Sequence, residues 1–435
     1  MLSVAIVGGG YTGLAAARRL LAAGQRVTLV ERATAPEGLA GCRPFGDTWL
    51  EHFYHHAFQS DVDLIALIEE LGLASELQWL EGEMGYFLGG RLHPFGTPLS
   101  LLRFAPLAPV DRVRFGLSIL RLARHAGWEA LDDVSVRDWF ARHVGGRVYE
   151  TCWQPLLEAK FGAAAGEISM AWLWGKIRLR GGNRSGQRER LGYVRGSFGQ
   201  VGRRLREHLL ASGLTLRLGS EVAAIRPEAE GGVRLLGPGL DEAFDRVLVT
   251  VPMPLVPRLL PDLPAPFAER CAGIAHTGVL CGTLTLRRSF SRYYWLNVGD
   301  AGMPFGGLIE HTNLVRDPGY GGRHVLYVSN YLDAEEPVFG LSDDAVLARW
   351  VEGLARVRPG FTLADIEEAH VARARHAQPV VRVGYGHRRP GFETPLPGVF
   401  LANMTHIFPE DRGVNYAIRC GTQAAVAMLE GHPQL

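Results

Sequence analysis

The sequence predicts an α/β protein in which a parallel sheet is assembled from separate parts of the chain. Three stretches support this prediction, and in each a short apolar strand pattern lies beside an amphipathic helix pattern with glycines at the turns. They are residues 3–32, 196–252 and 398–425. Because they lie far apart, the sheet domain is predicted to be discontinuous, with an α+β second domain in the residues between them.

The first stretch has every part of a βαβ unit. Val4–Val7 and Val27–Val30 are the predicted strands, with a helix over residues 14–23 between them. The turn carries three glycines in the pattern Gly-x-Gly-x-x-Gly. In that pattern the first glycine, Gly8, permits a tight turn, and Gly10 lets the backbone approach a pyrophosphate, while Gly13 lets helix and strand pack closely.

The two ends of this unit supply further candidates for a dinucleotide site. Tyr11 and Thr12 lie in the turn just before the predicted helix, and a helix N-terminus offers N–H groups and a positive dipole end to phosphates. Glu31 follows the second strand, where a carboxylate can bind ribose hydroxyls, and Arg32 is beside it. Since strand, turn, helix, second strand and terminal acid all occur together, the stretch predicts a Rossmann-type dinucleotide-binding domain.

The residues after Glu31 resemble the second cofactor loop of the FAD-dependent amine oxidase superfamily. That loop has an acid, a spacer, paired glycines and an arginine, and the corresponding residues of RATAPEGLAGCRPFG are Gly38, Gly41 and Arg43. This chain departs from the pattern, since two residues separate the glycines. The resemblance implies that FAD is the cofactor and that the domain is GR2-like.

The second stretch resembles a further FAD segment of that superfamily. It has a glycine turn, a helix pattern, a strand and then EVAAI, in which Val222 corresponds to the residue whose main chain holds the adenine. The following RVLVTVP, residues 246–252, resembles the superfamily's next strand.

The third stretch resembles the superfamily's C-terminal FAD element, a strand followed by a helix whose N-terminus faces the isoalloxazine. The N–H groups near Val414 and Asn415 would then stabilise negative charge on flavin N1 and O2, and Arg412 would add positive charge. Asp411 could cap the helix or serve as an acid/base group. Many members have Gly-Asp where this chain has Asn403-Met404, so Asn403 becomes a candidate ribityl contact.

Two adjacent histidines follow the predicted cofactor loop. The segment EHFYHHAFQSD, residues 51–61, surrounds His55 and His56 with aromatic residues. They are either core histidines or groups that contact the flavin and transfer protons, since histidine titrates near neutral pH. No metal site is predicted, because adjacent histidines alone are not a ligand set. The segment is similar to the flavin-contacting His- and Phe-containing segment of UDP-galactopyranose mutases.

Lysine is almost absent from the chain, which makes Lys160 notable. Lys160 and Lys176 are the two lysines among 46 basic residues. The segment Cys152–Ile177 resembles part of the bacterial protoporphyrinogen-oxidase-like proteins, and Lys160 is therefore a candidate catalytic residue. The alternative is a lysine that extends from a helix end into solvent.

Composition excludes several classes of protein. The 435 residues are 47% hydrophobic and carry a formal net charge of +1, so nothing predicts a nucleic-acid partner. Five cysteines without a Cys-x-x-Cys pair, and an N-terminus without a signal-peptide pattern, indicate a cytoplasmic protein. No transmembrane segment is expected. Residues 99–128 mix leucines and arginines, which favours surface helices packed on a core; contact with a membrane surface is the alternative.

Together these features predict an FAD-dependent oxidoreductase of oxidase or desaturase type, acting on a small-molecule substrate. A hydride would pass from a small organic substrate to flavin N5. The predicted FAD domain comprises residues 1–80, 190–255 and 390–435, and the predicted substrate domain comprises 81–189 and 256–389. One alternative is a reduced-flavin sugar-nucleotide mutase. A non-catalytic binding protein of the same fold is disfavoured by the intact glycine pattern and Glu31.

Overall fold

The computed structural model describes residues 1–181, 184–185 and 188–430, and its centre is a five-stranded parallel sheet. Every neighbouring pair in this sheet is parallel, as short and almost wholly apolar strands predict. In spatial order the strands are Thr215–Arg217, Arg26–Val30, Ser3–Val7, Arg246–Val249 and Val399–Leu401. The predicted α/β class is thereby confirmed.

Two helices cover one face of this sheet and lie against each other. Tyr11–Ala22 begins three residues earlier than the sequence pattern predicted, directly at the glycine turn, and Val414–Glu430 is the C-terminal helix. They approach closely because Gly421 has no side chain, and a Cβ there would overlap the carbonyl oxygen of Thr12. The two ends of the chain therefore form one unit. The helices Gly199–Ala211 and Val62–Glu70 belong to the same hydrophobic core.

A seven-stranded, mostly antiparallel sheet forms the second layer. Its strands, in spatial order, are Ile366–Pro379, His276–Leu286, His324–Asp333, Gly307–Glu310, Trp295–Val298, Met84–Leu88 and Arg91–Phe95. The last two strands form a hairpin that turns at Gly89-Gly90, with both glycines in the left-handed region. Trp350 of the helix Asp343–Val357 is part of the core on this sheet.

A helical region connects the two sheets. Its helices are Pro98–Leu102, Pro109–Ala123, Glu129–Asp132, Val136–His143, Gly146–Val148, Gln154–Phe161 and Met170–Gly181. Trp172 and Trp174 are buried in its core. Gly175 allows the last of these helices to approach the chain at Pro409, because a Cβ there would lie 2.6 Å from the Pro409 carbonyl oxygen.

Smaller elements complete the described chain. The additional strands are Cys42–Phe45, Thr48–Glu51, Leu77–Glu81, Arg184–Ser185, Arg188–Val194, Ala224–Pro227, Val233–Gly237 and Leu240–Phe244. The additional helices are Val256–Leu259, Ala265–Ala272 and Tyr385–Arg388. The domain boundaries given above stay a prediction. All five parallel strands nevertheless come from the three stretches on which the prediction rested.

Candidate cofactor and active site

A cavity of about 850 Å³ lies at the carboxyl ends of the parallel strands. Its walls come from the glycine turn, from the residues after the second strand, and from the loop before the C-terminal helix. Residues 373–376 of the long strand Ile366–Pro379 form part of the opposite wall. The cavity therefore lies between the two sheets, where a cofactor on one layer could meet a substrate held by the other.

The three glycines of the turn are needed for three different reasons. Gly8 has a φ of +114°, which side chains rarely adopt, and it lines the cavity. A Cβ on Gly13 would overlap the Gly8 carbonyl oxygen, so Gly13 permits the close contact of helix and strand. A Cβ on Gly10 would meet no protein atom within 4 Å and would point into open space. Gly10 therefore keeps room at the cavity for a ligand.

The beginning of the first helix faces the cavity. Tyr11 and Thr12 line it, and the first hydrogen bond of the helix runs from Leu14 N to Gly10 O at 3.0 Å. The N–H groups of a helix's first turn precede that bond and have no partner within the helix. This end of the cavity is consequently suited to an anion such as a diphosphate.

Glu31 is held beside this anion site by two backbone donors. Its carboxylate accepts hydrogen bonds from Gly9 N at 2.7 Å and from Ala33 N at 2.8 Å. Arg32 and Val222 line the cavity next to it. The oriented carboxylate could accept hydrogen bonds from the ribose hydroxyls of an adenosine, and the Val222 segment beside it could contact the adenine.

The turn after Glu31 brings only part of the expected cofactor loop to the cavity. The consecutive left-handed residues are Glu37, at φ +89°, and Gly38, at φ +56°, whereas Gly41 has an extended φ of −63°. Gly38 and Glu37 line the cavity, and Gly41 and Arg43 are not among the lining residues. Burial raises the pKa of Glu37 to about 7. The sequence pattern missed Glu37 because a glutamate occupies a position with glycine-like backbone geometry.

The loop before the C-terminal helix brings Asn403 and Val414 to the cavity, but not Asn415. The side chain of Asn403 is used locally, since its oxygen accepts from Thr405 N and its amide donates to Val251 O. Asn415 is turned away, and its side-chain oxygen accepts from Asp63 N and Leu64 N. Asn415 thus caps the helix Val62–Glu70, while the first turn at Val414 remains on the cavity wall.

Arg412 reaches the same part of the cavity and is partly buried. Its Nη2 donates to the Tyr331 hydroxyl at 2.6 Å, and its Nε is buried with no hydrogen-bond partner in the part of the chain that the structure describes. Burial opposes the charge, but Tyr331 and Asp411 outweigh it and raise the pKa of Arg412 above its usual value. An orphaned cationic donor on the cavity wall fits an anionic or electron-rich ligand.

Asp411 binds both lysines of the chain. Its carboxylate accepts from Lys160 Nζ at 2.9 Å and Lys176 Nζ at 2.7 Å, and also from Trp172 Nε1 at 3.2 Å. Both ammonium groups lie 4.9 Å from the centre of a Trp172 ring. Burial acts against ionisation, yet the two lysines hold the pKa of Asp411 well below its usual value.

This cluster, here called the lysine–aspartate cluster (Lys160, Lys176, Asp411 and Trp172), adjoins Arg412. The Lys160 ammonium lies 5.6 Å from the centre of the Tyr331 ring, and Tyr331 is also the partner of Arg412. Neither Lys160 nor Asp411 is among the cavity-lining residues. Lys176 was not expected from the sequence; the scarcity of lysine was the signal that could have found it.

The two adjacent histidines have separate environments. His55 lines the cavity, and its Nδ1 lies 2.5 Å from the Phe53 carbonyl oxygen, which fixes the proton on Nδ1 and leaves Nε2 as an acceptor. Burial lowers the pKa of His55 to about 4, so the ring is neutral at pH 7. His56 is not among the lining residues, and its Nδ1 lies 3.0 Å from the Tyr294 hydroxyl, among aromatic rings.

Comparison with known proteins identifies the family. The profile of the flavin containing amine oxidoreductases matches residues 11–429. The chain belongs to this family. It is a family of flavin-dependent oxidoreductases, and FAD is its cofactor.

Individual relatives are distant from this chain. Putrescine oxidase of Kocuria rosea is 27% identical over 148 residues, which cover 32% of this chain and 31% of that enzyme. The 15-cis-phytoene desaturase of Narcissus pseudonarcissus is 23% identical over 432 residues, covering 92% of this chain and 75% of that protein. The matched region thus spans about a third of the first relative's length, and identities at this level do not transfer a substrate.

Solved structures share the whole architecture. A protein assigned as protoporphyrinogen oxidase from an Exiguobacterium species superposes with a TM-score of 0.78 at 20% identity, covering 99% of each chain. Reduced UDP-galactopyranose mutase superposes with a TM-score of 0.75 at 15% identity, covering 100% of this chain and 95% of the mutase. These similarities establish the fold. The suspected resemblance to both groups is thereby confirmed.

The cavity of this family member fits FAD on structural grounds. Two helices begin on its wall, Gly10 leaves open space beside one of them, and the Arg412 Nε is an orphaned donor beside the other. Of the residues expected from sequence to bind cofactor or substrate, twelve line the cavity: Gly8, Gly10, Tyr11, Thr12, Glu31, Arg32, Gly38, His55, Val222, Asn403, Arg412 and Val414. Their individual roles stay predictions.

Proposed function

We propose that this protein oxidises a small organic substrate by transfer of a hydride from a C–H bond to flavin N5. The observation that carries the proposal is the position of Arg412 and of the helix beginning at Val414, which together place positive charge on one wall of the cavity. When bound there, the flavin would accept the hydride and become more negative. Charge of the opposite sign, fixed before the reaction, lowers the cost of that step.

His55 is the proposed acceptor of a substrate proton. Its Nε2 is unprotonated at pH 7 and can accept a proton or a hydrogen bond, but its pKa of about 4 makes it a weak base, so we expect its contribution to the rate to be small. Lys160 is proposed to act through the lysine–aspartate cluster on the same side of the site. We expect Lys160→Met to lower turnover at least tenfold, about 1.4 kcal/mol of barrier, with flavin content unchanged. Lys176→Met is the matched control for loss of one ammonium.

The charges beside Arg412 favour a neutral or anionic substrate. The lysine–aspartate cluster and Arg412 contain three cationic groups and one carboxylate, Asp411. A protonated amine would be repelled by that surplus of positive charge, whereas a carboxylate, a phosphate or an apolar ring system would not. We therefore expect that this protein does not oxidise cationic amines.

The experiment is anaerobic titration of the FAD-loaded protein with amines, porphyrinogens, polyenes and sugar nucleotides, followed by the flavin spectrum. Bleaching by a neutral or anionic compound, with stoichiometric formation of its oxidised product, is the expected result. Bleaching by amines alone would refute the charge argument. Hydride transfer would be refuted if the protein binds oxidised FAD but no C–H donor bleaches it.

A second candidate is a reduced-flavin sugar-nucleotide mutase. The arginines Arg373 and Arg375 on the opposite wall favour it, since guanidinium groups suit a pyrophosphate. The same titration separates the candidates, because a mutase would isomerise its substrate only after chemical reduction and without net bleaching. We also propose a cytoplasmic location, supported by the five cysteines, all of which are free thiols.

A further inference from the structure

The outward face of the helix Pro109–Ala123 is apolar, which is the reverse of a normal surface helix. Its inward residues pack on the core, as periodicity requires: Asp111, Phe115, Ser118 and Leu122. Its outward residues repeat with the same helical spacing and are 55%, 53%, 61% and 53% exposed: Val110, Val113, Leu117 and Leu120. The inward side thus includes two polar side chains, whereas the valines and leucines of the outward side lie in solvent.

Neighbouring elements extend this outward face. Leu99 and Leu102 on the helix Pro98–Leu102 are 43% and 56% exposed, and Leu92 on the adjacent strand Arg91–Phe95 is 43% exposed. Of the fourteen exposed large hydrophobic residues in the described part of the chain, seven belong to this region. Leu92, Leu99, Leu102, Val110, Val113, Leu117 and Leu120 are here called the apolar face. Clustering of this kind marks an interaction surface.

The surroundings of the apolar face are strongly cationic. Residues 91–128 contain six arginines and one acid, Asp111, whereas the whole chain has a formal net charge of only +1. Asp111 is buried and its carboxylate faces Arg114 at 3.6 Å. Arg103, Arg121 and Arg124 are exposed around the leucines. The surface therefore combines exposed aliphatic side chains with a local surplus of positive charge.

We propose that the apolar face docks onto the surface of an anionic phospholipid bilayer. Aliphatic side chains that enter the acyl boundary, with arginines at the headgroup level, are the composition that interfacial helices use. Among the residues that the structure describes, no helix is long and apolar enough to cross a membrane. The contact is accordingly with one surface of the bilayer.

The other possible occupants fit the same surface less well. A second copy related by a two-fold axis would bring the same patch against itself and place like charges together. An interface with a dedicated protein partner usually contains aromatic anchor residues, but the residues of the apolar face are all leucine or valine. Anionic headgroups are complementary to the arginines and require no shaped pocket.

The test is co-sedimentation of the full-length, FAD-loaded protein with vesicles of phosphatidylcholine, with and without phosphatidylglycerol. We expect binding to the anionic vesicles, weakened by high salt, because the arginine contribution is screened. Leu117→Gln/Leu120→Gln should abolish it. The matched control is Leu210→Gln/Leu363→Gln, which changes two leucines of 47% and 58% exposure elsewhere on the surface. FAD content and turnover should be unchanged in both.

The arginines are tested separately. Arg121→Gln/Arg124→Gln should weaken vesicle binding about thirtyfold, because each arginine near an anionic surface contributes about fivefold and the two factors multiply. Arg316→Gln/Arg349→Gln, two exposed arginines elsewhere, should change it little. The proposal is overturned if wild type does not bind anionic vesicles or if the apolar-face variants bind as well as wild type. It is equally overturned if light scattering shows a dimer that Leu117→Gln/Leu120→Gln dissociates.

Discussion

Replacement of Asp411 by asparagine should destabilise the protein more than removal of either lysine that it binds. Asp411→Asn keeps the shape of the side chain but removes the charge that pairs with Lys160 and Lys176. The side chains of Asp411 and Lys160 are each only 15% exposed, and that of Lys176 is 30% exposed. Two ammonium groups would then lie near each other and near Arg412 with no carboxylate between them.

The size of the effect follows from this burial. Removal of one partner from a buried ion pair costs about 3–5 kcal/mol, and the partial exposure of Lys176 places our expectation at the lower end, about 3 kcal/mol. For a chain of 435 residues the entropy of unfolding is large, so this loss corresponds to a fall in Tm of only about 3 °C. Lys160→Met or Lys176→Met should each cost about 1 kcal/mol, since Asp411 keeps its other partners.

The assay is thermal unfolding of the FAD-loaded variants at several pH values. The folded-state pKa of Asp411 is depressed, so its stabilisation is present above the unfolded value of about 4 and is lost as pH falls below it. Wild type should therefore lose its advantage over Asp411→Asn in that acidic range. Equal stability of wild type and Asp411→Asn at pH 7, or a larger loss in either lysine variant, would refute the reasoning.

Three further predictions concern the cofactor cavity. Gly10→Val should abolish FAD binding without unfolding the protein, because the added side chain would meet no protein atom but would occupy the space that the cofactor needs. Gly391→Val is the control: a Cβ there also meets no neighbour, and the variant should keep FAD. Arg412→Gln should lower the flavin reduction potential with little change in Tm, and the control Tyr331→Phe should keep most of the potential. The measurement is a redox titration. An unaltered potential in Arg412→Gln would show that Arg412 has a structural role. Glu37→Gly should raise the free energy of unfolding by about 1 kcal/mol, because glycine adopts the left-handed conformation of this residue without strain; a melting curve that shows lower stability than wild type would contradict this.

The nucleotide-binding half of the molecule was predictable because its signals are local. The strand, turn and helix of residues 3–22 depend on the periodicity of apolar residues and on glycines that are close together in sequence. The same holds for the C-terminal strand and helix, and the parallel sheet follows once such units are present. Backbone geometry within a turn could not be predicted in the same way, because Glu37 has a left-handed conformation that is uncommon for glutamate.

The sequence by itself determined the α/β class, the dinucleotide-binding turn and the family, since these depend on periodicity and on residues spaced a few positions apart. Only the tertiary structure decided that Asp411 binds Lys160 and Lys176, which are 251 and 235 residues away, and that Asn415 turns away to cap another helix. It also decided which face of the helix Pro109–Ala123 remains in solvent. Contacts between distant segments are set by packing of the whole chain, and no local pattern encodes which side chains that packing brings together.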